Sequence, residues 1–147
     1  MITHIKGDAT KPIGDGLKII THICNNKGGW GAGFVLAISR RWLEPETHYR
    51  SLQEYQLGKT YVIKVEPDII VANMIAQNGF VRPNYVPLDY VALNRCLNKL
   101  NTWAKVKNAT IHMPMIGAGL GGGDWERILK IIENSALVDN VIYEYGG

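Results

Sequence analysis

The sequence predicts an α/β protein, built as a three-layer α/β/α sandwich. Three observations point there. The runs "KIITHIC" (Lys18–Cys24) and "DIIVANMI" (Asp68–Ile75) are continuously apolar rather than alternating, the pattern of strands covered on both faces. Amphipathic stripes at helical spacing fall between the strand-like runs. Two segments, Thr21–Arg41 and His112–Ile128, each read as strand, glycine turn, helix.

Taken in order, Ile2–Lys6 is a short apolar run closed by the turn residues of "KGD", hence a strand. Lys18–Cys24 is the second strand. A helix follows from about Gly33 to Arg41, its "SRR" end read as solvated, and a weaker one near Pro45–Tyr55. Thr60–Val65 and Ile69–Met74 are strands. "VRPNYVPLD" (Val81–Asp89) is a loop with two prolines, and its "PLD" opens a helix with the stripe Tyr90, Leu93, Leu97, Leu100, Ala104. Thr110–Pro114 is a strand. Asp124 is the N-cap of a last helix, with Trp125, Ile128, Leu129 and Ile132 at i, i+3, i+4 and i+7. Asn140–Tyr145 is the closing strand. No repeat or linker divides the chain, and 147 residues at 46% hydrophobic content suffice for one core, so residues 1–147 are read as a single domain.

Composition narrows the function classes. No run of about 18 apolar residues occurs, so no membrane span is expected. "MITHIKGDAT" lacks the basic-then-apolar pattern of a signal peptide. Cys24 and Cys96 are too few for a disulfide framework, and are expected as reduced thiols in a cytoplasmic protein. A net charge of +3 suits a phosphate-bearing ligand but is not the dense basic stripe of a dedicated DNA binder. His4, His48 and His112 have no metal-ligand spacing with each other or with Cys24, so neither a metal nor another cofactor is expected.

The glycine turns carry the functional signal. "HMPMIGAGLGGGDWERI" holds G-x-G-x-x-G at Gly117, Gly119 and Gly122, the spacing of dinucleotide-binding folds. Those folds place the fingerprint in the first βαβ unit, whereas only 25 residues follow Gly122 here. No G-K-[ST] follows the glycines either, which excludes a P-loop. "THICNNKGGWGAGFVLAISRR" repeats the construction. Each turn ends at a helix N-terminus, where unpaired N–H groups and the dipole attract anions. Two such turns in one small domain suggest two phosphates, hence a diphosphate. Asp8 is a candidate acceptor for an adenine amino group, or else a turn aspartate. Tyr143 and Tyr145 share one strand face and either stack on a base or pack as a core pair. His22 enters the first glycine turn and is an acid/base candidate, or a structural histidine.

Together these residues resemble a macrodomain, the ADP-ribose-binding α/β/α module with a mixed central sheet. "IKGDAT" resembles its opening strand and adenine-contacting aspartate. "HICNNKGGWGAGFVLAI" resembles the loop around the distal ribose, and "MPMIGAGLGGGDW" the second diphosphate loop. The resemblance implies ligand contacts from Asp8, Ala9, Gly31, Ala32, Gly33, Phe34, Gly117, Ala118, Gly119, Leu120, Gly121, Gly122, Gly123, Tyr143 and Tyr145. His22, Cys24, Asn25, Gly28, Trp30, Gly31 and Gly33 are similar to the pattern H-x-C-N-x-x-G-x-W-G-G-G of small ADP-ribose 1''-phosphate phosphatases. That similarity implies catalytic roles for His22, as acid/base, and Asn25, holding the distal ribose. The expected activity is hydrolysis of ADP-ribose 1''-phosphate. The alternatives are a reader that binds ADP-ribose without catalysis, and a glycohydrolase acting on ADP-ribosylated protein or DNA. Three positions depart from related hydrolases: Val35 and Gly121 where they carry aspartate, and Gln77 where they carry lysine.

Overall fold

Burial along the strands explains the sheet. The structure is a computed structural model that describes residues 1–119 and 121–145. Its strands are β1 (Ile2–Lys6), β2 (Lys18–Asn25), β3 (Thr60–Glu66), β4 (Ile69–Gln77), β5 (Thr110–Pro114) and β6 (Asn140–Glu144). Its helices are α1 (Phe34–Arg41), α2 (Glu44–Arg50), α3 (Tyr90–Lys107) and α4 (Trp125–Ser135). The strand order is β1-β6-β5-β2-β4-β3. All neighbours are parallel except β3, which runs antiparallel to β4, so the sheet is mixed. The two continuously apolar runs are the neighbouring strands β2 and β4, buried along nearly their whole length.

Successive residues of those strands feed opposite cores. On one face, Leu93, Leu97, Leu100, Ile128 and Ile132 of α3 and α4 pack against Ile19, Ala72, Met74 and Ile111. On the other, Ile38 and Tyr49 of α1 and α2, with Trp30 and Trp42, pack against Ile20, Val71 and Ile75. These are the three predicted layers. The connection between β1 and β2 closes the rest of the second face: Ile13 N donates to Tyr143 Oη at 2.9 Å, and Arg41 Nη1 donates to Thr10 O at 2.9 Å.

Local signals set the helix ends. Asp89 and Asp124 cap α3 and α4, accepting from Ala92 N at 2.9 Å and Glu126 N at 3.0 Å. The weaker helix is shorter than predicted. α2 ends at Arg50, where the Ser51 hydroxyl donates to His48 O at 2.6 Å and closes the turn. Tyr55, predicted at the end of that helix, instead packs its ring on Tyr49 from a loop, with centroids 4.7 Å apart. β2 and β4 run on to Asn25 and Gln77, past the predicted ends, and β6 stops at Glu144, before Tyr145.

The topology fixes where a ligand can enter. β2 and β5 are neighbours, but the chain leaves β2 for α1 on one face and leaves β5 for α4 on the other. Such a switch point opens a crevice beyond the carboxyl ends of the strands.

Candidate functional site

The crevice is a cavity of about 630 Å³, within the range of small-ligand sites. β2 supplies His22, Ile23, Cys24 and Asn25 to its wall. The turn into α1 and the start of that helix supply Gly29, Gly31, Ala32, Gly33, Phe34 and Val35, and the end of β5 with the turn after it supplies Pro114–Gly117, Gly119 and Gly121. Gln77, Phe80 and Val81 close the side next to β4.

The two glycine turns meet across this cavity, as expected, but they are not equivalent. Gly33 is the N-cap of α1 with φ 82° and ψ −151°, a conformation reserved for glycine. No side chain caps α1, and no acidic residue lies in its first turn. Leu36 N donates to Gly33 O at 3.1 Å, which leaves the N–H groups of Phe34 and Val35 for an anion. The second turn is partly closed on itself. Gly122 N donates to Gly119 O at 3.0 Å and Gly123 N to Gly117 O at 2.8 Å, while Asp124 caps α4. The α4 N-terminus is thus not the anion site that the sequence suggested. Of the expected contacts in this turn, Gly117, Gly119 and Gly121 line the cavity; Ala118, Gly122 and Gly123 do not, and Leu120 lies outside the described residues.

Asn25 has a structural role of its own. Its Oδ1 accepts from Lys27 N at 2.9 Å, Gly29 N at 3.0 Å and Tyr49 Oη at 2.9 Å, and its Nδ2 donates to Gly29 O at 3.2 Å. The side chain staples the 25–29 turn, and one N–H of its amide remains for a ligand. His22 is 1% exposed. Its Nε2 lies 2.6 Å from Asn73 Oδ1, and its Nδ1 is buried without a partner. Burial, only partly offset by the Asn73 hydrogen bond, pushes it from 6.5 down to about 4. Burial, with Cys96 adding to it, pushes the Cys24 thiol up. His22 and Cys24 are the titratable side chains among the described residues of the wall, so the wall is uncharged at neutral pH.

Asp8 and Ala9 sit outside the cavity wall, at the end of β1 on the same edge of the sheet. Asp8 Oδ1 accepts from Thr10 N at 2.8 Å and Thr10 Oγ1 at 2.7 Å. Burial raises its carboxyl, but those bonds and the charges of Lys11 and Arg41 outweigh it and leave the group below its ordinary value. Asp8 is thus both the turn aspartate and an ionised acceptor. The tyrosine pair does not form a base platform. Tyr143 is 2% exposed, with its hydroxyl 2.7 Å from His112 Nδ1, whereas Tyr145 is 74% exposed beyond the strand end. Tyr143 is core, and neither ring reaches the cavity.

The departures have physical reasons. A Cβ on Gly121 would stand 2.8 Å from Gly117 O, so this turn excludes an aspartate there. Gln77 points its amide at Gly79 O, 3.3 Å away, and brings no cation. Val35 is buried in the first turn of α1. Sequence reasoning missed Phe80 and Val81, which lie in a loop with no motif, and Asn73. A polar residue inside the apolar run of a buried strand was the signal for Asn73.

The buried histidines also set the acid response. His112, between Thr110 and Tyr143, is likewise pushed to about 4, by burial and then by Lys18. Between 6.5 and 4 the unfolded chain binds more protons than the folded one, so stability is complete above about 6.5 and falls as the pH drops through that window. For His22 the loss by pH 4 is on the order of 3 kcal/mol. Urea midpoints are expected to fall steeply between pH 7 and pH 4.5; an unchanged midpoint would contradict the burial of both rings.

Comparisons with known proteins agree with this architecture. No family model matches the chain. A solved structure of a Bacteroides thetaiotaomicron protein of unknown function is 43% identical and has a TM-score of 0.93, with 98% of each chain covered. The chain is 28% identical over 137 residues to an ADP-ribose 1''-phosphate phosphatase of Candida albicans, spanning 86% of this chain and 88% of that protein. It is 37% identical to a macrodomain protein from Streptomyces coelicolor, with 99% of this chain and 100% of the other covered at a TM-score of 0.86. With that identity over the full length, and with two glycine turns facing each other across the switch point of a mixed sheet, the chain belongs to the macrodomain family.

Proposed function

We propose that the cavity binds ADP-ribose and that the protein hydrolyses ADP-ribose 1''-phosphate to ADP-ribose and phosphate. The observation that carries this reading is the uncapped N-terminus of α1, which faces the 117–121 turn across a cavity that His22 also lines. Backbone N–H groups of Gly31–Phe34 hold the diphosphate from one side, and those of Gly117 and Gly119 hold it from the other. Asp8 takes the adenine amino group, and the remaining N–H of Asn25 meets the distal ribose. In the hydrolytic step a water oxygen bonds to the phosphorus of the 1''-phosphate. His22 Nδ1 takes the proton that the water releases, the bond from phosphorus to the C1'' oxygen breaks, and the proton returns to that oxygen. Preorganised N–H donors suit the charge of a transferring phosphoryl group. The similarity to the Candida albicans phosphatase supports the substrate.

A second reading has its own observation. The uncharged wall offers no lysine or carboxylate among the described residues, which favours a reader that binds ADP-ribose and catalyses nothing. A glycohydrolase acting on ADP-ribosylated protein or DNA is disfavoured by the closed space at Gly121 and by Gln77. Among the described residues no helix is long and apolar enough to cross a membrane and no cluster of metal-ligating side chains occurs. Both cysteines are free and buried, which suits a cytoplasmic setting. Calorimetry tests the binding step. ADP-ribose is expected to bind more than about tenfold more tightly than NAD⁺, a difference of about 1.4 kcal/mol. Equal affinities would sink the site as described. Phosphate release from ADP-ribose 1''-phosphate then separates enzyme from reader.

A further inference from the structure

Asn73 lies in the middle of β4, 1% exposed, in a strand that is otherwise apolar. A buried amide is costly unless its groups are bonded. Asn73 Nδ2 donates to Pro45 O at 3.1 Å, and Asn73 Oδ1 stands 2.6 Å from His22 Nε2. The register places His22 and Asn73 directly opposite each other on β2 and β4. A carbonyl only accepts, so the amide nitrogen must face Pro45 and the amide oxygen must face His22. That oxygen in turn only accepts, so His22 Nε2 carries the hydrogen. A neutral imidazole has one N–H, which leaves Nδ1 a bare acceptor.

We infer that Asn73 is a positioning residue that locks His22 in its Nε2–H form and so leaves Nδ1, buried and without a partner, as the acceptor of a ring that lines the cavity. The role of that acceptor in catalysis rests on the phosphatase reading; the lock itself does not. The other groups packed on the ring cannot set its tautomer. Trp30 meets it edge-on with centroids 5.6 Å apart, and Phe34 lies 5.8 Å away; both are apolar there. Cys24, two residues along β2, and Tyr49, which packs on Trp30 with centroids 5.2 Å apart, are both kept neutral by burial. The lock therefore extends the site to α2, through the carbonyl of a proline that does not touch the cavity.

Two measurements test the lock. The first is long-range ¹H–¹⁵N NMR of the wild-type protein labelled at its histidines, which reads the tautomer without turnover. The expected result is a protonated Nε2 and an unprotonated Nδ1 for His22 at neutral pH; a protonated Nδ1 would overturn the inference. The second is Asn73→Asp, which keeps the acceptor but adds a negative charge. The imidazolium form of His22 should then persist to a pH about one to three units higher. The acidic break in phosphate release should move up with it. A rate lowered evenly at every pH, with the NMR titration of His22 unmoved, would reduce Asn73 to a structural amide and overturn the inference. A wild-type protein that shows the expected tautomer but releases no phosphate overturns the phosphatase reading alone.

Discussion

His22→Ala is expected to slow phosphate release from ADP-ribose 1''-phosphate by roughly 10²–10⁴-fold, the range for one general acid/base, while ADP-ribose affinity stays nearly unchanged. The two readouts separate if, as proposed, backbone N–H groups hold the diphosphate while His22 acts on the water. The pH profile identifies the residue. With His22 at about 4, the free base predominates through neutrality, so kcat/KM should be flat in its histidine dependence above about pH 5 and should fall below pH 4. A solvent-exposed histidine would break near 6.5 instead. The second ionisation of the substrate phosphate, near 6, adds a break of its own that survives in the variant. Loss of the acidic break together with the rate supports the base. A variant as fast as wild type would remove His22 from the chemistry, and a wild-type protein that binds ADP-ribose but releases no phosphate would make the protein a reader.

The contrast between what the sequence predicted and what the structure holds has physical causes. Runs such as "KIITHIC" are legible because only strands covered on both faces tolerate them. The caps Asp89 and Asp124 are legible because the side chain and its N–H partner lie within three residues of each other. The end of α2 was not legible, because Leu52 and Tyr55 continue a helical spacing past Arg50 although they pack from a loop. Alternation put Tyr143 and Tyr145 on one face, but it could not say that the β1–β2 connection would cover the first and leave the second exposed. The fingerprint at Gly117, Gly119 and Gly122 marks where the backbone turns tightly. It carries no record of which N–H groups the turn uses itself, so it could not show that Gly122 and Gly123, contacts that the resemblance implies, spend theirs within the turn. Asn73 went unread because its partner, Pro45 O, is 28 residues away in sequence.

Gly119→Val and Gly31→Val are each expected to weaken ADP-ribose binding by about 100-fold or more without unfolding the protein. A Cβ at either position meets nothing within 4 Å, and neither residue has a positive φ, so the first side-chain carbon adds neither backbone strain nor a clash. The geometry leaves blockage as the cause. Both glycines line the cavity, so the added branches occupy the space that a phosphate oxygen needs to come within about 3 Å of the backbone N–H groups. Losing two hydrogen bonds to a charged group, at about 1.5–3 kcal/mol each, accounts for the loss. Gly123→Ala in the same turn is the contrast. Its Cβ would collide with the Leu88 side chain and lie 2.9 Å from both Gly117 O and Ile128 Cδ1, so it is expected to lower the melting temperature rather than act on binding alone. Calorimetry with ADP-ribose and thermal unfolding of all three variants read the two effects separately. Wild-type affinity in a folded Gly119→Val protein would place the diphosphate somewhere other than between these turns.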